Sequence, residues 1–208
     1  MTPFQEQDVR RPRSSRDHGR PRLERPYFED LYQRSEDPWA FATSAYEREK
    51  YAHTLDALGG RRFGRSLEIG CSIGVFTAQL TTICSELVAI DVSACALERA
   101  QRRLAANARV RFARMAFPEA MPDGPWELVV CCEVLYYLDL AAFELAIERL
   151  RVALEDGATV LAVHWRGATE TYPLRGDDVH DRLVSELGAW HARDDRRPLY
   201  RLDRFEGR

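Results

Sequence analysis

Apolar residues recur along this chain in two alternating rhythms between about residues 65 and 164. Arg65–Ile69, Leu87–Ile90, Val110–Ala113, Glu127–Cys132 and Ala158–His164 are short runs with little polar face, which predicts strands covered on both sides. Between them, Val75–Thr82, Ala94–Ala106 and Leu140–Leu154 carry apolar residues at helical spacing. Ser93 stands where a cap for the second of these belongs, and Gly157 follows the third. Outside this region the spacing predicts one or two helical turns at Phe28–Gln33. It also predicts a helix over Ala42–Leu58 ended by Gly59-Gly60, a helix over Val179–Leu187 and a last strand at Leu199–Arg204. Strand alternating with helix is the signature of an α/β fold, a largely parallel sheet with helices on both faces.

Residues 1–26 break the rhythm. They hold seven arginines, four acids and Pro3, Pro12, Pro21 and Pro26, with few apolar residues, and predict a loosely attached, solvated tail. The remainder, 27–208, reads as a single domain, with 27–60 as a helical N-terminal segment. A chain of 208 residues, 45% hydrophobic and 30% charged, suits one such domain plus a tail. The net charge of −3 argues against a generic nucleic-acid binder. There is no apolar run of about 18 residues, so no membrane span is expected. The first residues lack an apolar core of the secretory kind, so the expected location is cytoplasmic. Five cysteines, an odd number without a C-x-x-C pair, suit small buried hydrophobes in a reducing compartment rather than disulfides or zinc. Lys50 is the only lysine among 30 basic residues, a bias read as compositional.

The chemistry concentrates at two strand ends, where ligands of open α/β sheets bind. The first strand runs into Glu68-Ile69-Gly70-Cys71-Ser72-Ile73-Gly74, and the second ends in Asp91, 21 residues after Gly70. Gly70 and Gly74 allow a sharp turn close to a ligand, and a carboxylate at Asp91 can accept both hydroxyls of a ribose. A dinucleotide site needs G-x-G-x-x-G for its pyrophosphate. This chain has E-x-G-x-x-x-G, and Glu68 would repel a pyrophosphate. An acid there suits a cationic ligand, which points to S-adenosylmethionine.

On these residues the sequence resembles the class I S-adenosylmethionine-dependent methyltransferases. LEIGCSIGVFT is similar to their first motif, AIDVS to their acidic loop and PWELVVCCEVLYYL to their fourth-strand motif. DPWAFATSAYEREKY followed by EVLYYL resembles, more narrowly, the nodulation protein S group, whose founding members N-methylate an amino sugar of a chitin oligosaccharide. The likeness covers residues 37–165. It implies a Rossmann-like seven-stranded sheet, mostly parallel with the last strand antiparallel, helices on both faces, and S-adenosylmethionine as cofactor. Carried over by position, Glu68, Gly70, Cys71 and Gly74 would line its methionine and ribose part. Asp91 would hold the ribose hydroxyls and Val92 would lie on the adenine. Where many relatives carry an Asp after the third strand, this chain reads Arg114-Met115-Ala116-Phe117, which leaves the adenine to backbone groups, Met115 and Phe117. Asp37-Pro38-Trp39 would form a lid, with Trp39, Phe41 and Tyr46 closing over the sulfonium. Glu47 and Lys50 read as a surface ion pair.

An acceptor would enter after the fourth and fifth strands. Glu133 there can bind a cationic amine or take its proton, and Tyr136 and Tyr137 can orient an amine or stack on a sugar ring. His164, at the end of the fifth strand and expected to face the cleft, is a candidate base, with His180 second. A metal site from Asp177, Asp178 and His180 lacks further ligands, so no metal is expected. The expected partner is a small molecule, an amine of a sugar or glycan-like compound. Other readings stay open: a different acceptor atom or a protein side chain, a nicotinamide-dependent oxidoreductase, and a cofactor-binding protein without turnover.

Overall fold

Every residue of the segment Leu128–Cys132 is buried, which requires a strand on each side and cover above and below. The computed structural model describes residues 20–167 and 170–208 and supplies both. The strands β1 (Phe63–Ile69), β2 (Cys84–Asp91), β3 (Val110–Arg114), β4 (Leu128–Cys132), β5 (Thr159–Trp165), β6 (His191–Arg196) and β7 (Tyr200–Glu206) form one sheet in the order β3-β2-β1-β4-β5-β7-β6. The pairs from β3 to β5 are parallel, while β7 runs antiparallel between β5 and β6. This is the Rossmann-like arrangement that the resemblance implies.

The helices are α1 (Arg25–Arg34), α2 (Ala45–Asp56), α3 (Val75–Leu80), α4 (Ala94–Arg103), α5 (Leu140–Glu155) and α6 (Gly176–Leu187). Alternate strand residues choose the layer. Leu67, Ile69, Val129, Cys131 and Val160 pack with Phe143, Ile147 and Leu150 of α5 and Leu183 of α6. Phe63, Leu87, Val130 and Leu161 pack on the other face with Tyr51 of α2 and Phe76 and Leu80 of α3. Each such fully buried aliphatic side chain contributes about 1.5–3 kcal/mol, so the two layers hold the sheet without a crosslink. The five cysteines are free, and Cys71, Cys84, Cys131 and Cys132 are buried.

Helix ends follow local chemistry. Ser93 caps α4 by accepting from the Ala96 N–H at 3.1 Å, and Asp139 caps α5 by accepting from Ala142 at 2.9 Å. The helix expected from Ala42 starts at Ala45, because Ser44 caps it and residues 37–43 form a turn held by Asp37. The expected last strand, Leu199–Arg204, falls on β7 from Tyr200 onward, but β6 has no counterpart in the sequence reading. Five of its six residues, HARDDR, are polar, and intermediate and exposed positions alternate along it. It forms the sheet edge, where charged side chains guard against further pairing. The hydrophobic pattern therefore carries no sign of it.

Most of the expected loose tail, residues 1–19, lies outside the described residues. Residues 20–26 are not loose. Leu23 N–H donates to the Tyr137 carbonyl at 2.9 Å, Arg22 pairs with Glu119, and α1 starts at Arg25 with Pro26 in its first turn.

The strand order reverses between β1 and β4. In such sheets that reversal opens a crevice at the carboxyl ends.

Candidate active site

The turn from β1 into α3 is built from left-handed residues: Gly70 (φ 78°), Ser72 (φ 51°) and Gly74 (φ 77°). A Cβ on Gly70 would stand 3.2 Å from Val134, and one on Gly74 would stand 3.0 Å from Ala100, so both positions demand glycine for space as well as for φ. Ser72 lacks that freedom and is held from both sides. Its N–H donates to Asp91 Oδ2 at 2.8 Å, and its hydroxyl hydrogen-bonds the Tyr32 hydroxyl of α1. The other Asp91 oxygen accepts from the Ser93 N–H at 2.9 Å. The two backbone donors fix the carboxylate plane at the tip of β2, and burial raises its pKa.

Glu68, one residue before the end of β1, is 2% exposed. Its Oε2 has no hydrogen-bond partner among the described residues. Burial, helped by the charge of Asp91, pushes its pKa up to about 8. The Thr77 hydroxyl of α3 eases ionisation of this carboxyl but burial outweighs it, and a buried oxygen left without a partner points to a ligand that completes it.

These residues open into one cleft, about 920 Å³ when its space open to solvent is counted, roofed by α1 and the turn after it. Of the residues expected at a cofactor, Glu68, Gly70, Cys71 and Asp91 line it, as do Val92, Met115, Phe117 and Trp39. Gly74 does not; it stands at the N-cap of α3 behind the loop. Tyr46 is also outside the lining. Its ring meets Tyr200 edge-on at 6.2 Å, because α2 turns that face toward β7 rather than toward the cleft. Trp39 and Phe41 stack with centroids 5.6 Å apart, and both line the cleft.

The acceptor-side expectations divide. Glu133 lines the cleft with a left-handed φ of 56°. Its Oε1 accepts from Lys50 Nζ at 2.5 Å, and its Oε2 accepts from the Tyr136 hydroxyl at 2.6 Å and the Trp165 N–H at 2.9 Å. Tyr136 is buried behind Glu133, stacked on Tyr172 at 4.9 Å, so it offers no free face to a sugar. Tyr137 lines the cleft and meets Tyr172 edge-on.

His164 is fully buried and does not line the cleft, which corrects the expectation that it faces a substrate. Its Nε2 accepts from the Leu135 N–H at 3.1 Å. A backbone N–H only donates, so the ring proton sits on Nδ1, which donates to His180 Nε2 at 3.0 Å. His180 then donates from Nδ1 to Asp203 Oδ2 at 2.6 Å. Burial drives the pKa of both imidazoles below the ordinary range, which keeps them neutral. This chain of bonds is structural in form. It ties the turn after β4 to β7.

Lys50 and Glu47, expected as a surface pair, are 1% and 6% exposed. The cleft residues that sequence reasoning missed are those of α1 and of the segment just before it. Tyr32 is buried against the glycine loop, and Phe28 and Leu23 line the cleft. Phe28 and Tyr32, four apart, were the available signal, masked by the arginine- and proline-rich stretch before them.

Comparisons with known proteins bear on the family and the fold. The family model described as Nodulation protein S (NodS) matches residues 28–165. Nodulation protein S of Bradyrhizobium diazoefficiens is 33% identical over 130 residues, 61% of this chain and 61% of that protein. Its counterpart in Sinorhizobium fredii is 32% identical over 118 residues, 56% of this chain and 55% of that protein. The match thus spans little more than half the length of these curated relatives. A Pseudomonas syringae protein, described only provisionally as a methyltransferase, superposes with a TM-score of 0.69 at 33% identity, covering 78% of this chain and 99% of its own. N-methyltransferase NodS from Bradyrhizobium japonicum WM9, solved with S-adenosyl-L-homocysteine, has a TM-score of 0.71 at 23% identity and covers 86% and 97%, a likeness of fold.

Proposed function

This chain belongs to the nodulation protein S family, and on that premise we propose that it transfers a methyl group from S-adenosylmethionine to an amine, carried by a sugar or glycan-like acceptor. The observation that carries the reading is Glu68 Oε2, buried without a partner among the described residues, in the same cleft as the twice-anchored Asp91. A cationic amino acid group completes the first, and a ribose diol suits the second. A pyrophosphate suits neither, because the Asp91 carboxylate would repel it and an anion would hold Glu68 in its protonated form rather than complete it.

Bound in this cleft, the cofactor supplies a methyl carbon already activated by its sulfonium. The chain's task is to hold, align and exclude water. Asp91 keeps its remaining lone pairs for the two ribose hydroxyls, because its backbone bonds prevent rotation. Glu68 accepts the ammonium of the methionine part. Val92, Met115 and Phe117 give the adenine an apolar bed. Trp39 and Phe41 close the other side and shed water. Glu133 faces the same space from β4, where an acceptor would meet the methyl group.

Calorimetric titration with S-adenosylhomocysteine, beside NAD, tests the cofactor. Micromolar binding of the first alone is expected, with Asp91→Ala weaker by about 10- to 100-fold for the lost charged hydrogen bonds. Mass spectrometry of a partly de-N-acetylated chitin oligosaccharide after incubation then tests the acceptor. Absence of binding by folded protein defeats the cofactor reading. A methyl group found on oxygen defeats the amine.

A further inference from the structure

The chain holds one lysine against 29 arginines, and that lysine is buried. Lys50 Nζ lies 2.5 Å from Glu133 Oε1 and 2.9 Å from Glu47 Oε2, with the Tyr46 ring 5.1 Å and the Tyr51 ring 5.8 Å away. Burial alone would lower its pKa, but the surrounding negative charge, led by Glu133, more than offsets that and keeps it an ammonium. Arginine is the usual choice for a buried ion pair and serves at every other basic position here. A compact ammonium is the departure, and a narrow space between two carboxylates and two rings is its physical reason.

Glu133 is constrained in the same degree. Its φ of 56° is costly for a non-glycine residue, and such backbone persists where surrounding bonds enforce it. A carboxylate offers about four acceptor positions. Lys50, Tyr136 and the Trp165 N–H fill three, and Glu133 lines the cleft with the rest. Lys50 lies nearer Glu133 than Glu47, whose carboxyl burial pushes up, so its charge falls mainly on Glu133 and weakens the pull of that carboxylate on a second cation.

We propose that Lys50 is a positioning residue. It offsets part of the charge on Glu133 and orients it, so that the free acceptor position of that carboxylate takes an N–H of the amine in its neutral, nucleophilic form. The proposal rests on the methyl-transfer reading above. The N–H bond turns the nitrogen lone pair toward the methyl carbon. The N–C bond forms as the carbon–sulfur bond breaks onto sulfur, and the surplus proton on nitrogen leaves to water. Glu133 acts here as an acceptor that aims the nucleophile, and no proton is stored on it.

Lys50→Met and Lys50→Arg, each with S-adenosylhomocysteine bound, test this. The Trp165 amide resonance reports Glu133 Oε2 and needs no acceptor; it is expected to shift in both variants, while cofactor affinity stays within about threefold because the cofactor residues lie on other elements. With the partly de-N-acetylated oligosaccharide, kcat is expected to fall by about 100-fold in Lys50→Met. In the unsubstituted protein, kcat/KM should rise with pH along the titration of the acceptor amine itself. Should Lys50→Met fail to fold, Lys50→Arg keeps the charge and still displaces Glu133. An unshifted Trp165 amide overturns the positioning role by itself. Unsubstituted protein that binds S-adenosylhomocysteine yet methylates no amine overturns the underlying amine reading.

Discussion

Glu68 carries the sharpest consequence at the scale of single residues. Its carboxyl, raised to about 8 by burial, is largely protonated at neutral pH before a ligand arrives. A cationic group against this carboxyl favours the ionised form and lowers that pKa. Binding below pH 8 must then release a proton, and affinity should rise with pH until about 8 and level off above it. Calorimetry of S-adenosylmethionine binding in two buffers of different ionisation heat will show this release, and Glu68→Gln is expected to abolish it. The same shift bears on stability before binding. A raised carboxyl pKa favours the fold fully at low pH and less as pH climbs through the folded value, so Glu68→Gln should raise the ligand-free Tm most at pH 8 and above. Glu68, Gly70 and Asp91 were readable from spacing alone, because a strand followed by a glycine turn delivers them to one place whatever lies elsewhere. Tyr32 and Lys50 were not. Their partners Ser72 and Glu133 lie 40 and 83 residues away, and no local rule relates them.

Among the elements, α1 decides how the cleft is roofed. Its backbone is held by one side chain of α4: Arg99 donates to the carbonyls of Tyr32 at 2.6 Å, Ser35 at 2.9 Å and Glu36 at 3.0 Å. In return Glu29 of α1 accepts from the Ala94 N–H at 2.9 Å, a cap supplied to α4 from another helix. Cation at one helix end and anion at the other both complement the helix dipoles. Arg99→Ala should loosen this roof without touching the cleft. Dissociation of S-adenosylhomocysteine is expected to quicken by about tenfold, the loss of one or two charged hydrogen bonds, with association nearly unchanged. Stopped-flow fluorescence, with Trp39 in the cleft, will separate the two rates.

Across the whole molecule, Asp203 on β7 gathers His180 and His191 at 2.6 Å each and Arg201 at 2.9 Å, and is itself fully buried. Through His180 and His164 it reaches the Leu135 N–H beside the cleft, linking the antiparallel edge of the sheet to the site. Removing Asp203 strips the acceptor from both imidazoles and takes from Arg201 its buried carboxylate, leaving it the more exposed Asp181 and Asp194. Asp203→Ala is expected to lose about 3–5 kcal/mol in urea unfolding. Burial pushes the Asp203 carboxyl up, but its partners, led by His180, bring it below the ordinary value. Its stabilisation should therefore be present above the unfolded aspartate range and vanish as pH falls through the folded value, and Asp203→Ala should lack that acid limb.

The sequence by itself determined the alternating layers, the largely parallel sheet, and a glycine turn and aspartate at adjacent strand ends. Each of these follows from periodicity or from spacing within one strand–turn–helix unit. Tertiary structure alone decided the rest. It laid α1 on the glycine loop, buried Lys50 between two carboxylates and turned His164 away from the cleft. It also recruited a polar segment as the edge strand β6. These outcomes depend on which distant surfaces meet when the sheet closes its order, and on the rule that a buried charge persists only where the fold brings it a partner.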